Sequence, residues 1–421
     1  MAQKDEDNIH LGLRQHGHHV RRVALQASSS SFHAWLKPMN KPFSRLEELS
    51  LLSTTTEEIN PTLPEALQAP DLCRLSLHGI GLSKGLPLLS SAIALSTLSL
   101  THIGASCYFP PGDLVSQLQG LPRLEELSIG FAIPIPLPDS EGELLPSPTS
   151  PVTLATLRRL TFRGVDVYLN NLVAQINSPL LERLSLTLFF DLAFTLGNLT
   201  EFIDRTEGLG CLVAGIIFNK DGPSISAGYH EQQDIGKLSL HVYCESLDWQ
   251  IDSAMQVCSA LGKVLSAVEE LTLDLNVEGM SSDWENTLDN IMWHELLLPF
   301  TGVKKLHIGS SLTVELSQAL QPVAGGLVLE LLPELQELKV QLDVDDAKNP
   351  FSWFVQSRGS VGRPVHLLGP PMSHADRKSF IKYMNNVGKQ YQSRAINLII
   401  IYRTFIQAQE TTFRLYEELR W

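Results

Sequence analysis

Two short segments contain the residue types of a ligand-binding loop, but neither has the spacing that the chemistry needs. Residues 79–85 read Gly-Ile-Gly-Leu-Ser-Lys-Gly, a composition typical of loops that hold phosphate groups. They match neither G-x-G-x-x-G nor G-x-x-x-x-G-K-[ST]. Residues 343–349 offer three carboxylates, yet they lack the glycine and the terminal acidic residue of a calcium loop. We therefore predict a turn for the first segment and a solvated loop for the second.

Histidines near the start of the chain give the next candidate for chemistry. His10, His16, His18 and His19 lie close together, but no cysteine or carboxylate follows them at the spacing of a metal site. The chain also has no G-x-S-x-G elbow and no H-E-x-x-H zinc motif. We therefore expect a protein that is not an enzyme and has no metal and no cofactor.

An apolar pattern recurs along most of the chain. Written as apolar-x-x-apolar-x-apolar, it is represented by Leu124, Leu127 and Ile129. The central apolar residues of twelve copies are Val23, Leu49, Leu75, Leu98, Leu127, Leu160, Leu184, Ile216, Leu238, Leu271, Leu306 and Leu338. Neighbouring copies are 22 to 35 residues apart. Such a period indicates a repeat array, in which each unit buries its apolar face against its neighbours.

Each repeat combines a strand with a helix. The alternation of apolar residues within each copy predicts a short strand, and the segments between copies approach a helical period. Prolines just before several strands, such as Pro122 and Pro179, end the preceding helix. Connections of this length make neighbouring strands parallel and the crossovers right-handed. We therefore predict an α/β, right-handed solenoid with parallel strands on its concave face and helices outside.

The side chains between the last two apolar residues of each copy should face the concave surface, because side chains alternate along a strand. Eight of the twelve are serine or threonine. Strands about 4.8 Å apart on a concave face leave little room for long side chains. We favour this steric explanation over recognition through the hydroxyl groups.

The position just before each central apolar residue is mostly charged, and near the middle of the array it is basic. Arg159, Arg183 and Lys237, together with Arg163, would form a basic patch on an acidic protein. Because guanidinium groups suit carboxylate and phosphate, we hypothesise that the patch receives an acidic or phosphorylated peptide. The alternative is a set of exposed charges balanced by neighbours such as Glu182, and the sequence favours neither. The candidate partner-binding residues are Arg159, Arg163, Arg183, Lys237, Glu126, Ser128, Thr161, Ser185, Ser239 and His241.

Composition limits the partners and the compartment. The 421 residues carry a net charge of −14, which disfavours nucleic-acid and anionic-membrane partners. Five dispersed cysteines without a C-x-x-C pair indicate free thiols in a reducing compartment. The start is polar, and the most apolar run, residues 396–401, is too short to span a bilayer. We expect a cytoplasmic or nuclear protein.

The repeats resemble the leucine-rich-repeat family in its ribonuclease-inhibitor-like form, over roughly residues 18–343. The match departs from the family where it often has Asn or Cys, since Ile80 and Ile103 stand there. The start His18-His-Val-Arg21-Arg-Val-Ala-Leu25 and the Pro-x-Leu-x-x-Leu strands are similar to fungal F-box proteins with leucine-rich repeats. That resemblance implies substrate recognition for a ubiquitin ligase. Residues before the first repeat leave no room for an F-box, so docking to the cullin-ligase adaptor is expected only if an F-box is supplied elsewhere.

The predicted organisation has three parts. Residues 1–17 form a flexible segment, and residues 18–343 form the solenoid. The solenoid is interrupted by a proline-rich loop at 132–151 and a polar loop at 221–234. Residues 344–421 form a terminal repeat and an α+β cap. The predicted function is a non-catalytic protein-interaction module, either in the ligase pathway or as a scaffold or inhibitor-like protein unrelated to ubiquitin.

Overall fold

The computed structural model describes residues 13, 15–54, 61–82, 87–134, 151–191, 193–228, 237–244, 247–276, 290–321, 331–340 and 350–368. They belong to one compact unit, formed by Met1–Tyr229 with Lys237–Pro370. A second unit, His230–Gly236 with Pro371–Trp421, contains no described residue.

Sixteen strands lie in the described part of the chain, and fourteen of them form one long sheet. They are β1 (Arg22–Ala27), β2 (Glu48–Ser53), β3 (Arg74–His78), β4 (Thr97–Ile103), β5 (Glu126–Phe131), β6 (Val152–Thr153), β7 (Arg159–Gly164), β8 (Ile176–Asn177), β9 (Arg183–Phe189), β10 (Val213–Asn219), β11 (Gly222–Ala227), β12 (Leu238–Tyr243), β13 (Glu270–Leu275), β14 (Lys305–Ile308), β15 (Glu337–Val340) and β16 (His366–Leu368). The short strands β6 and β8 pair with each other outside the large sheet.

Ten α-helices connect these strands within the same residues. They are α1 (Ser29–Leu36), α2 (Pro87–Ser91), α3 (Pro111–Leu118), α4 (Asp166–Ala174), α5 (Gly197–Asp204), α6 (Leu247–Ala260), α7 (Gly262–Leu265), α8 (Asn290–Leu297), α9 (Thr313–Ala319) and α10 (Ser352–Ser360). The alternation of strands and helices confirms the predicted α/β class.

The repeated apolar pattern sets the register of the sheet. All twelve central apolar residues lie in strands and are buried, with at most 5% of their surface exposed. Across most parallel pairs they align, as Leu49 aligns with Leu75 and Leu75 with Leu98. Between β10 and β13 the alignment differs by two residues, because Ala214 and not Ile216 aligns with Leu271. Burying one such leucine stabilises the fold by about 1.5–3 kcal/mol relative to leaving it in water. A shift by one residue would expose the whole row, so the pattern fixes the register.

The two faces of the sheet differ in what covers them. Strand residues such as Leu127 and Leu160 share one continuous apolar core with helix residues such as Leu114 and Leu169. The helices therefore pack on this side, which we call the core face. The alternate residues of each strand point away from the core, and we call their surface the open face.

The order of strands departs from the chain order in one place. The sheet runs β9-β12-β11-β10-β13. Strand β12 of the ninth repeat therefore lies before β10 of the eighth repeat, and the additional strand β11 lies between them. Strand β11 pairs antiparallel with both β10 and β12, whereas the other neighbours in the sheet pair in parallel. Residues 222–227 were predicted to lie in a polar loop, and for them the prediction was wrong. The segment Pro-Ser-Ile-Ser-Ala alternates with a period of two, but it is short and weakly apolar. Its sequence therefore did not predict a strand.

A two-residue turn produces this reversal. Lys220 and Asp221 connect β10 to β11, a loop length typical of tight hairpins. Gly222 follows with a φ of +132°, a conformation that other residues rarely adopt. A Cβ atom on Gly222 would lie 1.7 Å from the carbonyl oxygen of Val242, so the hairpin can lie beside β12 only with glycine here.

Several predictions concern residues outside the described ranges. They include most of the segment 1–17, most of the proline-rich loop 132–151, the acidic segment 343–349 and the cap after residue 368. Within the predicted terminal repeat, His366–Leu368 form β16, which pairs in parallel with β15.

Candidate binding surface on the open face

The serine and threonine residues predicted to line one face do form a row on the open face. Ser128 aligns with Thr161, Thr161 with Ser185, and Ser185 with Ser239. Ser185 and Ser239 are buried, and the other two are half-buried. Their short side chains leave a low track across the middle of the sheet and offer little surface of their own to a partner.

A row of charged residues lies beside this track. Glu126, Arg159 and Arg183 occupy equivalent positions on three neighbouring strands. Lys237 takes the next position, because Leu238 aligns with Leu184 and the backbone N–H of Leu184 donates to the carbonyl of Lys237. We call Arg159, Arg183 and Lys237 the basic row. The inserted hairpin makes β12 the neighbour of β9, and this brings Lys237 next to Arg183.

The members of the basic row differ in their ion pairs. Arg159 forms a salt bridge with Glu126. Glu182, which could have balanced the row, instead pairs with Arg158. Within the described ranges, Arg183 and Lys237 have no carboxylate within salt-bridge distance. Two adjacent cations thus lie on the open face without a counter-ion among the described residues, Lys237 exposed and Arg183 half-buried.

Arg163 lies apart from the basic row, farther along the strands. Its Cζ atom is 5.6 Å from the centre of the Phe189 ring and 5.1 Å from that of Tyr243. The two rings lie side by side, with centres 6.3 Å apart and planes inclined by 26°. Cation–π contacts with two rings hold the guanidinium in place. Its covered Nε has no hydrogen-bond partner.

Two histidines flank Arg163. The Nδ1 of His241 is 3.0 Å from the Oγ of Ser224, and its ring meets Tyr243 edge-to-face at 4.8 Å. Burial lowers the pKa of His241 from 6.5 to about 4, and the positive charge of Arg163 acts in the same direction. Burial and Arg163 also lower the pKa of His102. Both rings are therefore neutral near pH 7, and Arg163 supplies the positive charge at this place.

Sequence reasoning identified Arg163 and His241 but missed Phe189 and Tyr243. Both aromatic residues lie after the last apolar position of the pattern, at the ends of their strands. They become neighbours because β12 pairs with β9, in a register that aligns Tyr243 with Phe189. The chain order would have placed a different strand there, so no local signal in the sequence predicts the pair.

In the described part of the chain, no group of three or more His, Cys, Asp or Glu side chains could hold a metal ion. Of the five free cysteines, Cys73 is exposed and the other four are buried. No helix among those residues has the length and apolar character that crossing a membrane requires.

Compared with protein-family models and with curated proteins, the sequence gives no match. The surface described above is therefore interpreted from its own geometry and charge.

Proposed function

We propose that this chain is a non-catalytic protein-interaction module, built as a right-handed leucine-rich-repeat solenoid, that binds an acidic or phosphorylated protein segment on its open face. The twelve copies of one apolar pattern and the long, mostly parallel sheet support a repeat architecture. Helices cover the core face, so a partner would contact the exposed and half-buried side chains of the open face, such as Lys237 and Arg183.

The observation that carries this proposal is a pair of adjacent cations that have no counter-ion in the described part of the chain. Arg183 and Lys237 repel each other across neighbouring strands, and an anionic group bound between them would relieve that repulsion. The protein as a whole has a net charge of −14, so anionic ligands are not attracted in general. The attraction is local to this part of the open face.

We further propose that the partner is a substrate of an F-box-type ubiquitin ligase pathway. The support is the resemblance of the first repeat and of the proline-preceded strands to fungal F-box proteins with leucine-rich repeats. The alternative is a scaffold or inhibitor-like protein without a connection to ubiquitin. A sheet of fourteen strands offers a surface large enough for either role.

Charge reversal tests the binding site. The purified chain is applied to a peptide array with acidic, phosphoserine-containing, neutral and basic sequences. We expect retention on the first two classes, and a loss of at least about tenfold for Arg183→Glu/Lys237→Glu, since charge-assisted hydrogen bonds contribute about 1.5–3 kcal/mol each. The matched control, Arg74→Glu/Arg123→Glu, makes the same change of charge at exposed positions elsewhere and should bind normally. Equal retention on all four classes would refute the proposal.

Affinity purification from the source cells separates the two pathways. The ligase proposal requires the cullin-ligase adaptor among the partners that are retained by the wild-type chain. A partner set that lacks the adaptor but depends on Arg183 and Lys237 would favour the scaffold. The genomic sequence upstream of Met1 gives a second test, since an in-frame F-box there supports the ligase pathway.

A further inference from the structure

We infer that the open face recognises its ligand at two points: a phosphate group at Arg183 and Lys237, and a carboxylate at Arg163, four to six residues apart in an extended peptide. This inference rests on the function proposed above and adds the identity and spacing of the two anionic groups.

Charge determines which anion suits which point. A phosphorylated side chain carries about −1.5 to −2 near pH 7. Arg183 and Lys237 together supply two positive charges that no described carboxylate pairs with, and Arg159 next to them already pairs with Glu126. Arg163 is a single cation between neutral histidines, so a singly charged carboxylate matches it. The phosphate therefore belongs at the basic row and the carboxylate at Arg163.

Preorganisation makes Arg163 a suitable second point. The rings of Phe189 and Tyr243 restrict its guanidinium, so little side-chain entropy remains to be lost on binding. Arg163 is half-buried and has no hydrogen-bond or ion-pair partner in the ranges that the structure describes. A carboxylate accepts two parallel N–H···O bonds from such a fork.

The register of the strands gives the spacing. Arg163 aligns with Thr187, which lies four residues beyond Arg183 on β9. Its guanidinium leans over Phe189, which lies six residues beyond Arg183. At about 3.3 Å per residue, the two points are about 13–20 Å apart, which an extended peptide covers in four to six residues.

In the described residues, short side chains line the strands between the basic row and the level of Thr187 and His241. Thr161, Ser185 and Ser239 lie between the basic row and Arg163 on their three strands. Their short side chains let a peptide backbone approach the sheet while its two anionic side chains reach the cations. The inference therefore follows from charge, distance and clearance together.

Fluorescence anisotropy with the full chain tests the spacing. Six labelled peptides carry one phosphoserine and one glutamate in an otherwise neutral sequence, at spacings of one, five or nine residues and in both orders. We expect one of the two five-residue peptides to bind at least about tenfold more tightly than the others. Replacing its phosphoserine with glutamate, or its glutamate with glutamine, should each remove that advantage.

Variants test which cations bind the phosphate and which cation binds the carboxylate. Arg163→Gln should abolish the preference for the five-residue spacing while the phosphoserine still contributes. Arg183→Gln/Lys237→Gln should abolish the dependence on phosphate, and Arg74→Gln/Arg123→Gln should change neither. Circular dichroism melting confirms that each variant is folded.

The contrary outcomes are distinct. If the affinity depends on the phosphate but changes neither with the spacing nor with Arg163→Gln, the two-point inference is wrong and the proposed function still holds. Equal binding of the glutamate-for-phosphoserine peptide would overturn the phosphate assignment. Displacement of the peptide by an equimolar oligonucleotide would overturn the assignment to a peptide. No difference between anionic and neutral peptides would refute the proposed function as well.

Discussion

At the scale of single residues, the cations of the open face differ because of their neighbours. Arg159 shares its charge with Glu126, whereas Arg183 and Lys237 have no such partner in the described residues. Exposed ion pairs contribute only about 0–1 kcal/mol, but they compete with any external anion for the same hydrogen-bond donors. The carboxylate of Glu126 therefore limits what Arg159 can offer to a ligand.

Removing that carboxylate should strengthen anion binding. We predict that Glu126→Gln raises the affinity for an anionic peptide by up to about fivefold, because Arg159 becomes free to bind the anion together with Arg183 and Lys237. Glu182→Gln is the matched control, since Glu182 pairs with Arg158 outside the row. Anisotropy titrations measure both. An equal gain for the two variants would mean that only the overall charge matters.

His241 should make the stability of the fold depend on pH. Its pKa is about 4 in the folded chain and 6.5 ordinarily. Between these values the unfolded chain binds a proton that the folded chain does not, so stability falls as the pH is lowered from about 6.5 to about 4. The loss approaches about 3 kcal/mol at the lower end.

Urea unfolding of the wild type and of His241→Asn, at pH 7.5 and at pH 5, measures this effect. Asparagine can still hydrogen-bond to Ser224 but does not titrate. The variant should lose less stability than the wild type between the two pH values. The same loss in both proteins would contradict the assignment to His241.

At the scale of secondary-structure elements, the hairpin of β10 and β11 decides which side chains meet on the open face. Without it, β10 would adjoin β9, and Lys237 and Tyr243 would lie one strand farther from Arg183 and Phe189. The hairpin depends on Gly222, whose φ is positive and whose hydrogen faces the backbone of Val242.

Gly222→Ala should therefore be strongly destabilising. We expect a loss of more than about 2 kcal/mol, from backbone strain and from the clash with the carbonyl oxygen of Val242. Gly197→Ala is the control, because a Cβ there meets nothing within 4 Å and the residue begins α5. Thermal unfolding should show Gly197→Ala to be neutral or slightly stabilising. Similar melting temperatures for the two variants would contradict the role given to Gly222.

At the scale of the whole molecule, the described part is a row of units that pair with their immediate neighbours. The fourteen strands form one sheet over one continuous apolar core. A defect in one unit should therefore be felt most in the adjacent units.

Leu184→Ala tests this locality. Leu184 is fully buried in β9, so its truncation should cost about 2–5 kcal/mol. Hydrogen exchange should accelerate most in β7, β9 and β12, and least in β1 and β16. Leu180→Ala, at a residue 52% exposed, should change stability by less than about 0.5 kcal/mol. Uniform acceleration along the sheet would indicate one cooperative unit instead.

The sequence by itself determined the α/β class, the strand positions and the parallel register of most neighbours. Each of these follows from local alternation of apolar residues, and burial makes that alternation energetically decisive, as at Leu127 and Ile129. The positions of Arg159, Arg183 and the serine and threonine row on one face followed from the same alternation.

The tertiary structure alone decided which strands lie side by side where the chain order is broken. The pairing of β12 with β9 brings together Arg183 with Lys237 and Phe189 with Tyr243, residues 54 positions apart in the chain. It depends on long-range backbone hydrogen bonds and on the shape of a glycine turn, which leave no periodic signal in the sequence. The sequence therefore indicated which residues share the open face, where we propose that a partner binds, and the strand order arranged the cations on it.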